Sequence, residues 1–246
     1  MKHVSFLLAF GLILAAGCSK DGPEATKLIL DGDYEAASTL ATAPIVMYTQ
    51  NGPVNNPALV DRFLSRQYYA SGFFSRNDVA LPAMNYGSLT LSIRGNKQAT
   101  FTTVYPSNGF TDVLKTEIIA HQATYFVAAK LDSVSIFTSA GSANRCSQLS
   151  TQTEVASPVK RCVNVSMATG YSQLCTFRPI QVVKIDAGQL YIPRLSWLIQ
   201  SGNPRNSGCG LATGGSANLF NPAVLNQLAA GDTLVVQERT IALIKK

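Results

Sequence analysis

Ser88-Leu89-Thr90-Leu91-Ser92-Ile93-Arg94, then Gly95-Asn96-Lys97, then Gln98-Ala99-Thr100-Phe101-Thr102-Thr103-Val104-Tyr105, is the stretch that decides the fold. Leu89, Leu91 and Ile93 fall on one side of an extended chain. Ser88, Thr90, Ser92 and Arg94 fall on the other. Alternation with a period of two marks a strand buried on one face. Gly95-Asn96 between two such runs reads as a hairpin turn.

Strand signals continue in both directions from this hairpin. Asn108-Gly109 is a second turn, and strands follow over Val113–Ala120, Thr124–Lys130 and Ser133–Thr138. Upstream, Pro44 to Gln50 is a strand ended by Asn51-Gly52-Pro53. Downstream, Cys162–Ala168 and Leu174–Phe177 are the arms of a hairpin around Thr169-Gly170. Gln181–Ile185 and Gln189–Leu195 flank a turn at Asp186-Ala187-Gly188, and Thr233–Ile244 closes the chain as a long β-branched strand. Ala140–Lys160 and Ser201–Ser216 read as loops, and Ala25–Ala43 is weakly patterned with room for one short helix. The expectation is a mainly β fold: an antiparallel meander of roughly ten strands forming a barrel or sandwich. Its alternating strands need a shared core, and its edges must be closed or covered.

Two short capped helices interrupt the meander. Asn56-Pro57-Ala58 and Asn221-Pro222-Ala223 each place an N-cap asparagine before a proline, where the missing amide costs nothing. The first helix should run from Pro57 to Ser65 with Leu59, Val60, Phe63 and Leu64 on one face. Leu59, Phe63 and Leu64 should meet the core, with Asp61 and Arg62 outward. Gly231 stops the second helix, and Trp197 reads as core.

The chain opens with a basic start (Met1-Lys2-His3) and an uncharged apolar run from Val4 to Ala16. The run is shorter than the roughly 20 residues a spanning helix needs, and has the form of a secretory signal. Its end, Leu14-Ala15-Ala16-Gly17-Cys18, resembles the lipobox of bacterial lipoproteins, with Ala15 where a branched aliphatic residue is commoner. The resemblance implies a signal peptide at 1–17, acylation of Cys18 and membrane attachment through it. It also implies a lipidated tether, placed at 18–43, and the strand signals beyond it give a single β-rich domain at 44–246. Ser19 rather than Asp after the cysteine implies the outer membrane. Ser19-Lys20-Asp21-Gly22 is similar to the surface-export signals of some lipoproteins, so the periplasmic and cell-surface faces both stay open.

Removing Cys18 from the five cysteines leaves Cys146, Cys162, Cys175 and Cys209. Four thiols in an exported protein make two disulfides, and three connectivities are possible. The first choice is Cys146–Cys162, closing the polar loop, with Cys175–Cys209 tying the other long loop to a strand. The second is Cys162–Cys175 across the hairpin with Cys146–Cys209.

Charged residues are only 14% of the chain, and the net charge of +6 is scattered. No basic run exceeds Lys245-Lys246, which excludes a nucleic-acid stripe. His121 is the sole histidine of the mature chain, and no G-x-S-x-G turn exposes a nucleophile, so a triad is not expected. The cysteines are spread too widely for zinc. Asp31-Gly32-Asp33-Tyr34-Glu35 imitates the start of a calcium loop but lacks its later Gly and Glu. No cofactor and no metal are expected. Glycan hydrolysis needs two carboxylates about 5–10 Å apart; Glu117 and Glu238 are the only ones inside strand-like runs.

Arg66-Gln67-Tyr68-Tyr69-Ala70-Ser71-Gly72-Phe73-Phe74-Ser75-Arg76 is the densest aromatic cluster. Tyr68, Tyr69, Phe73 and Phe74 are candidate binding residues with Arg66 and Arg76 at the rim; the alternative is that these rings plug the core. The sequence therefore points to a lipid-anchored, non-enzymatic envelope protein that binds a ligand or partner of unknown identity, with a small apolar molecule or a glycan as the candidate ligands. An envelope hydrolase using Glu117 or Glu238, and a structural or adhesive surface lipoprotein, are the other readings.

Overall fold

The computed structural model describes residues 30–67, 70–81, 87–138, 144–166, 172–202 and 208–246. The strands are β1 (Gly32–Thr42), β2 (Val46–Thr49), β3 (Gly52–Val54), β4 (Val79–Ala80), β5 (Ser88–Arg94), β6 (Gln98–Val104), β7 (Thr111–His121) and β8 (Tyr125–Lys130). They continue as β9 (Val134–Thr138), β10 (Arg161–Asn164), β11 (Gln173–Phe177), β12 (Ile180–Asp186), β13 (Gln189–Ser201), β14 (Cys209–Ser216) and β15 (Asp232–Lys245). Helices α1 (Pro57–Ser65) and α2 (Arg145–Thr153) are joined by short 3-10 helices at Ser71–Phe73 and Pro222–Gln227.

Eight of these strands close an antiparallel barrel. The ring runs β1, β5, β6, β7, β8, β12, β13, β15 and back to β1, each neighbour hydrogen-bonded to the next. Closure removes the exposed edges that an open meander would leave. The alternation read in β5 is the reason its side chains point as they do: Leu89, Leu91 and Ile93 are buried inside. Gly95 and Asn96 both take positive φ in the hairpin that follows. Tyr34, Leu40, Phe101, Phe126, Val183 and Ile241 join them in one interior cluster. The barrel is thus filled by side chains, as expected when only eight strands close.

The two longest strands outrun the barrel. β13 and β15 stay paired from Leu190↔Leu243 to Ser201↔Asp232, and past the barrel they take β14 and β2 as outer neighbours, with β3 beyond β2. One face of this extension packs Leu195, Trp197, Ile199, Leu234 and Val236 against α2 and the Pro222–Gln227 helix. The other packs Met47, Leu198 and Val235 against α1 and the Phe73 segment. A separate three-stranded sheet, β10-β11-β9, stands outside the barrel wall.

Several expectations are corrected. Residues 32–42, expected to belong to a weakly patterned tether with room for a short helix, instead form β1, a full barrel strand. Its alternation is hidden by a register shift between Ala36 and Leu40. Within the loop expected at Ala140–Lys160 lies α2, capped by Asn144 Oδ1 accepting from Ser147 N at 2.9 Å. Within the loop expected at Ser201–Ser216 lies β14, a glycine-rich strand on the sheet's edge. β9 leaves the meander and pairs with β11 instead. Helix α1 has the predicted ends, with Asn56 Oδ1 accepting from the Ala58 and Leu59 amides. It docks through Val60 and Leu64, one turn apart, with Phe63 half-buried; Leu59, expected in the core, is 45% exposed.

The disulfides are Cys146–Cys209 and Cys162–Cys175. The first-choice pairing of Cys146 with Cys162 and Cys175 with Cys209 is therefore overturned. Cys162 and Cys175 face each other directly across β10 and β11. Cys146 on α2 reaches Cys209 at the start of β14, Cα atoms 5.9 Å apart, because α2 lies on the face of that sheet.

Candidate functional site

Within the Arg66–Arg76 cluster, Tyr68 and Tyr69 lie outside the described residues. Phe73 and Phe74 are half-buried against Val60, Leu64 and Leu198. A Cβ at Gly214 on β14 would stand 2.5 Å from Phe73 Cδ1, so the ring fills the space that a missing side chain leaves. Behind it, Ser75 N donates to Gln237 Oε1 at 2.9 Å, and Gln237 Nε2 donates to the carbonyls of Ala43 and Ser75. Arg66 is exposed at the end of α1 and Arg76 pairs with Asp61. The segment is therefore stapled onto the sheet extension. Its contact with a concavity is through Ser75 and Arg76, which line a groove of about 430 Å³ with Ile45, Val46, Val54 and Val60.

A second groove, about 440 Å³, separates the barrel wall from the outlying sheet. Ile119 of β7, Ala129 of β8 and Ile180 of β12 supply its floor from the barrel, and Phe177 supplies it from β11. Pro158 and Val159 form one lip, and Arg161 and Arg178 are its cations. Arg178 is held: Nε donates to the Lys130 carbonyl at 2.6 Å and Nη2 to Glu117 at 3.2 Å. Arg161 is exposed, and among the described residues it joins no ion pair. Lys160 Nζ stands 5.5 Å from the centre of the Phe177 ring. Both grooves have the volume of small-ligand sites, about 300–1,000 Å³.

The residues weighed for hydrolysis are occupied differently. Glu117 pairs with Arg178. Glu238 Oε1 accepts from the Phe220 amide at 2.9 Å. His121 is exposed at the end of β7. Of the calcium-like string, Asp31 accepts from the Asn96 amide, Asp33 binds Arg94 and Ser92, and Glu35 pairs with Lys246. These carboxylates serve the fold's own backbone and cations.

Two polar sites escape the sequence reading. Glu154 accepts from Trp197 Nε1 at 3.1 Å, Ser216 Oγ at 2.8 Å and Asn218 Nδ2 at 2.8 Å. Arg194 and Arg239 face each other between β13 and β15. The signal for the arginine pair is phase: Ile192, Arg194, Ser196 and Leu198 share one side of a strand whose neighbours on that side are core. Glu154 gave no such signal, because it ends a helix of mostly polar residues.

The sequence matches no family model and no curated protein, and the fold matches no solved structure.

Proposed function

We propose that this chain is a lipid-anchored, non-enzymatic binding protein of the bacterial cell envelope, holding an amphipathic ligand in the groove between barrel and outlying sheet. The composition of that groove carries the reading. Ile119, Ala129, Phe177 and Ile180 give an apolar floor, and Arg161 gives a cation at its edge. An apolar chain gains about 25 cal/mol for each Å² it removes from water, and a carboxylate or phosphate head gains a charge-assisted hydrogen bond. The barrel interior, being filled by side chains, is a rigid support for the groove rather than a ligand chamber.

Anchoring rests on Cys18 and its preceding signal. Leu30 is buried in the barrel core, and its amide donates to Asn96 Oδ1 at the β5–β6 hairpin. Leu30 is the point from which a tether to Cys18 would leave the barrel. The outer membrane follows from Ser19. The hydrolase reading is less well supported, since Glu117 and Glu238 each serve a neighbour in the fold.

Two measurements on protein extracted from Gram-negative membranes test this. Intact mass should show acylated Cys18 as the first residue, and organic extraction should release an amphiphile in near-stoichiometric amount. An unmodified N-terminus in the soluble fraction would refute the anchor. Glycan-cleaving activity lost in Glu117→Gln or Glu238→Gln would replace the binding reading with the enzymatic one.

A further inference from the structure

β2 and β15 pair through Tyr48↔Leu234 and Val46↔Val236. Past the last of these pairs, the Ala43 amide donates to the Glu238 carbonyl at 3.0 Å, so the chain before β2 keeps following β15. Side chains two residues apart on a strand share a face. Val236 and Glu238 therefore point the same way: Val236 is buried in the cluster that holds Trp197, and Glu238 is half-buried beyond it. Phe220 joins them from the segment after β14. Its ring stacks on Tyr48 with centroids 6.0 Å apart, and its amide donates to Glu238 Oε1 at 2.9 Å.

These residues line a cavity of about 200 Å³. Pro44, Val46 and Val236 form its aliphatic wall, Tyr48 and Phe220 give it two rings, and Glu238 is the one charged residue of the lining. Among the described residues, Glu238 joins no ion pair. A carboxylate set against apolar walls has lost part of its hydration, and a single neutral amide restores only some of it. A hard metal ion is a poor match, because it takes about six oxygen ligands or more. We infer that this cavity binds a small primary alkylammonium ion, its N–H donating to Glu238 and its alkyl group lying on the rings and the aliphatic wall. The carboxylate gains a charge-assisted hydrogen bond, the ring faces attract the cation, and the alkyl group leaves water. The site is separate from the barrel–sheet groove, whose lining shares none of these residues.

The test is an amide NMR titration of the purified protein with n-butylammonium chloride. Sodium chloride at equal ionic strength is the reference, and 1-butanol is the uncharged arm. Butylammonium should shift the Val46, Phe220 and Val236 amides saturably, and butanol should bind there about tenfold or more weakly. Glu238→Gln keeps an oxygen for the Phe220 amide but removes the charge, and should weaken butylammonium binding about tenfold or more. Tyr48→Leu, which removes one ring, should weaken it several-fold, and gives a second reading even if the glutamine variant does not fold. No saturable shift at these amides would overturn the inference. So would butanol binding as tightly as butylammonium, which would mark the cavity as merely apolar, or unchanged affinity in Glu238→Gln.

Discussion

Phe73 and Gly214 share one space: a Cβ at position 214 would lie 2.5 Å from the Phe73 ring. Gly214→Ala should therefore destabilise the fold by about 1–3 kcal/mol through overpacking. Phe73→Ala should cost about 3 kcal/mol or somewhat less, since the ring is only half-buried. The two costs should not add. With the ring gone, Gly214→Ala becomes nearly neutral, which a double-mutant cycle by urea denaturation would read as a coupling of about 1–3 kcal/mol.

The two disulfides should contribute unequally. Cys146–Cys209 spans 63 residues and Cys162–Cys175 spans 13. In the chain-entropy model these separations give about 4 and about 3 kcal/mol. Cys146 is also a buried core residue of α2, so the Cys146→Ser, Cys209→Ser pair should lower the denaturation midpoint of the whole domain. Loss of Cys162–Cys175 should instead raise amide exchange chiefly in β10 and β11.

Trp197 is the single tryptophan of the chain, and its indole N–H is bonded to Glu154. Glu154→Ala leaves the Trp197, Ser216 and Asn218 donors without their acceptor. The expected loss is about 2–4 kcal/mol, together with a changed tryptophan emission maximum in the folded state. Unchanged emission and stability would show that Glu154 holds nothing in place.

Asp232 gives the fold a pH dependence whose sign is fixed. Burial alone would push its carboxyl up, but bonds from Ser201, the Ala229 amide and Arg145 together hold it below the ordinary value. A carboxylate depressed in the folded state contributes stability above its unfolded pKa of about 3.9, and that contribution fades as pH falls through the folded value. Acid titration of stability should thus be steeper for wild type than for Asp232→Asn. The variant should also be less stable at neutral pH.

How much of this was legible in the residues depends on how simple each local pattern is. β5 alternates without interruption, and its ends and the turn after it are as read, while β6 ends at Val104, one residue short of the expected Tyr105. Asn56 and Asn221 announce their helices because a cap and a proline leave little else possible. β1 was unreadable because a bulge breaks its period. α2 was unreadable because its buried positions, Cys146, Leu149 and Thr153, are sparse and only partly apolar. β14 was unreadable because Gly214 makes room for the Phe73 ring rather than for a turn. Of the candidate binding cluster, the sequence found the aromatic density but not its partner surface. The barrel–sheet groove joins residues from β7, β8, β11 and β12, and no local pattern links them.

The most direct test of the account is a binding titration at that groove. A long-chain fatty acid, followed by isothermal calorimetry on delipidated protein, should bind saturably at one site. Ala129→Leu, which fills the floor, and Arg161→Glu, which reverses the edge charge, should each weaken binding about tenfold or more without unfolding the domain. Absence of saturable binding, or equal affinity in both variants, would contradict the assignment of this groove as the ligand site.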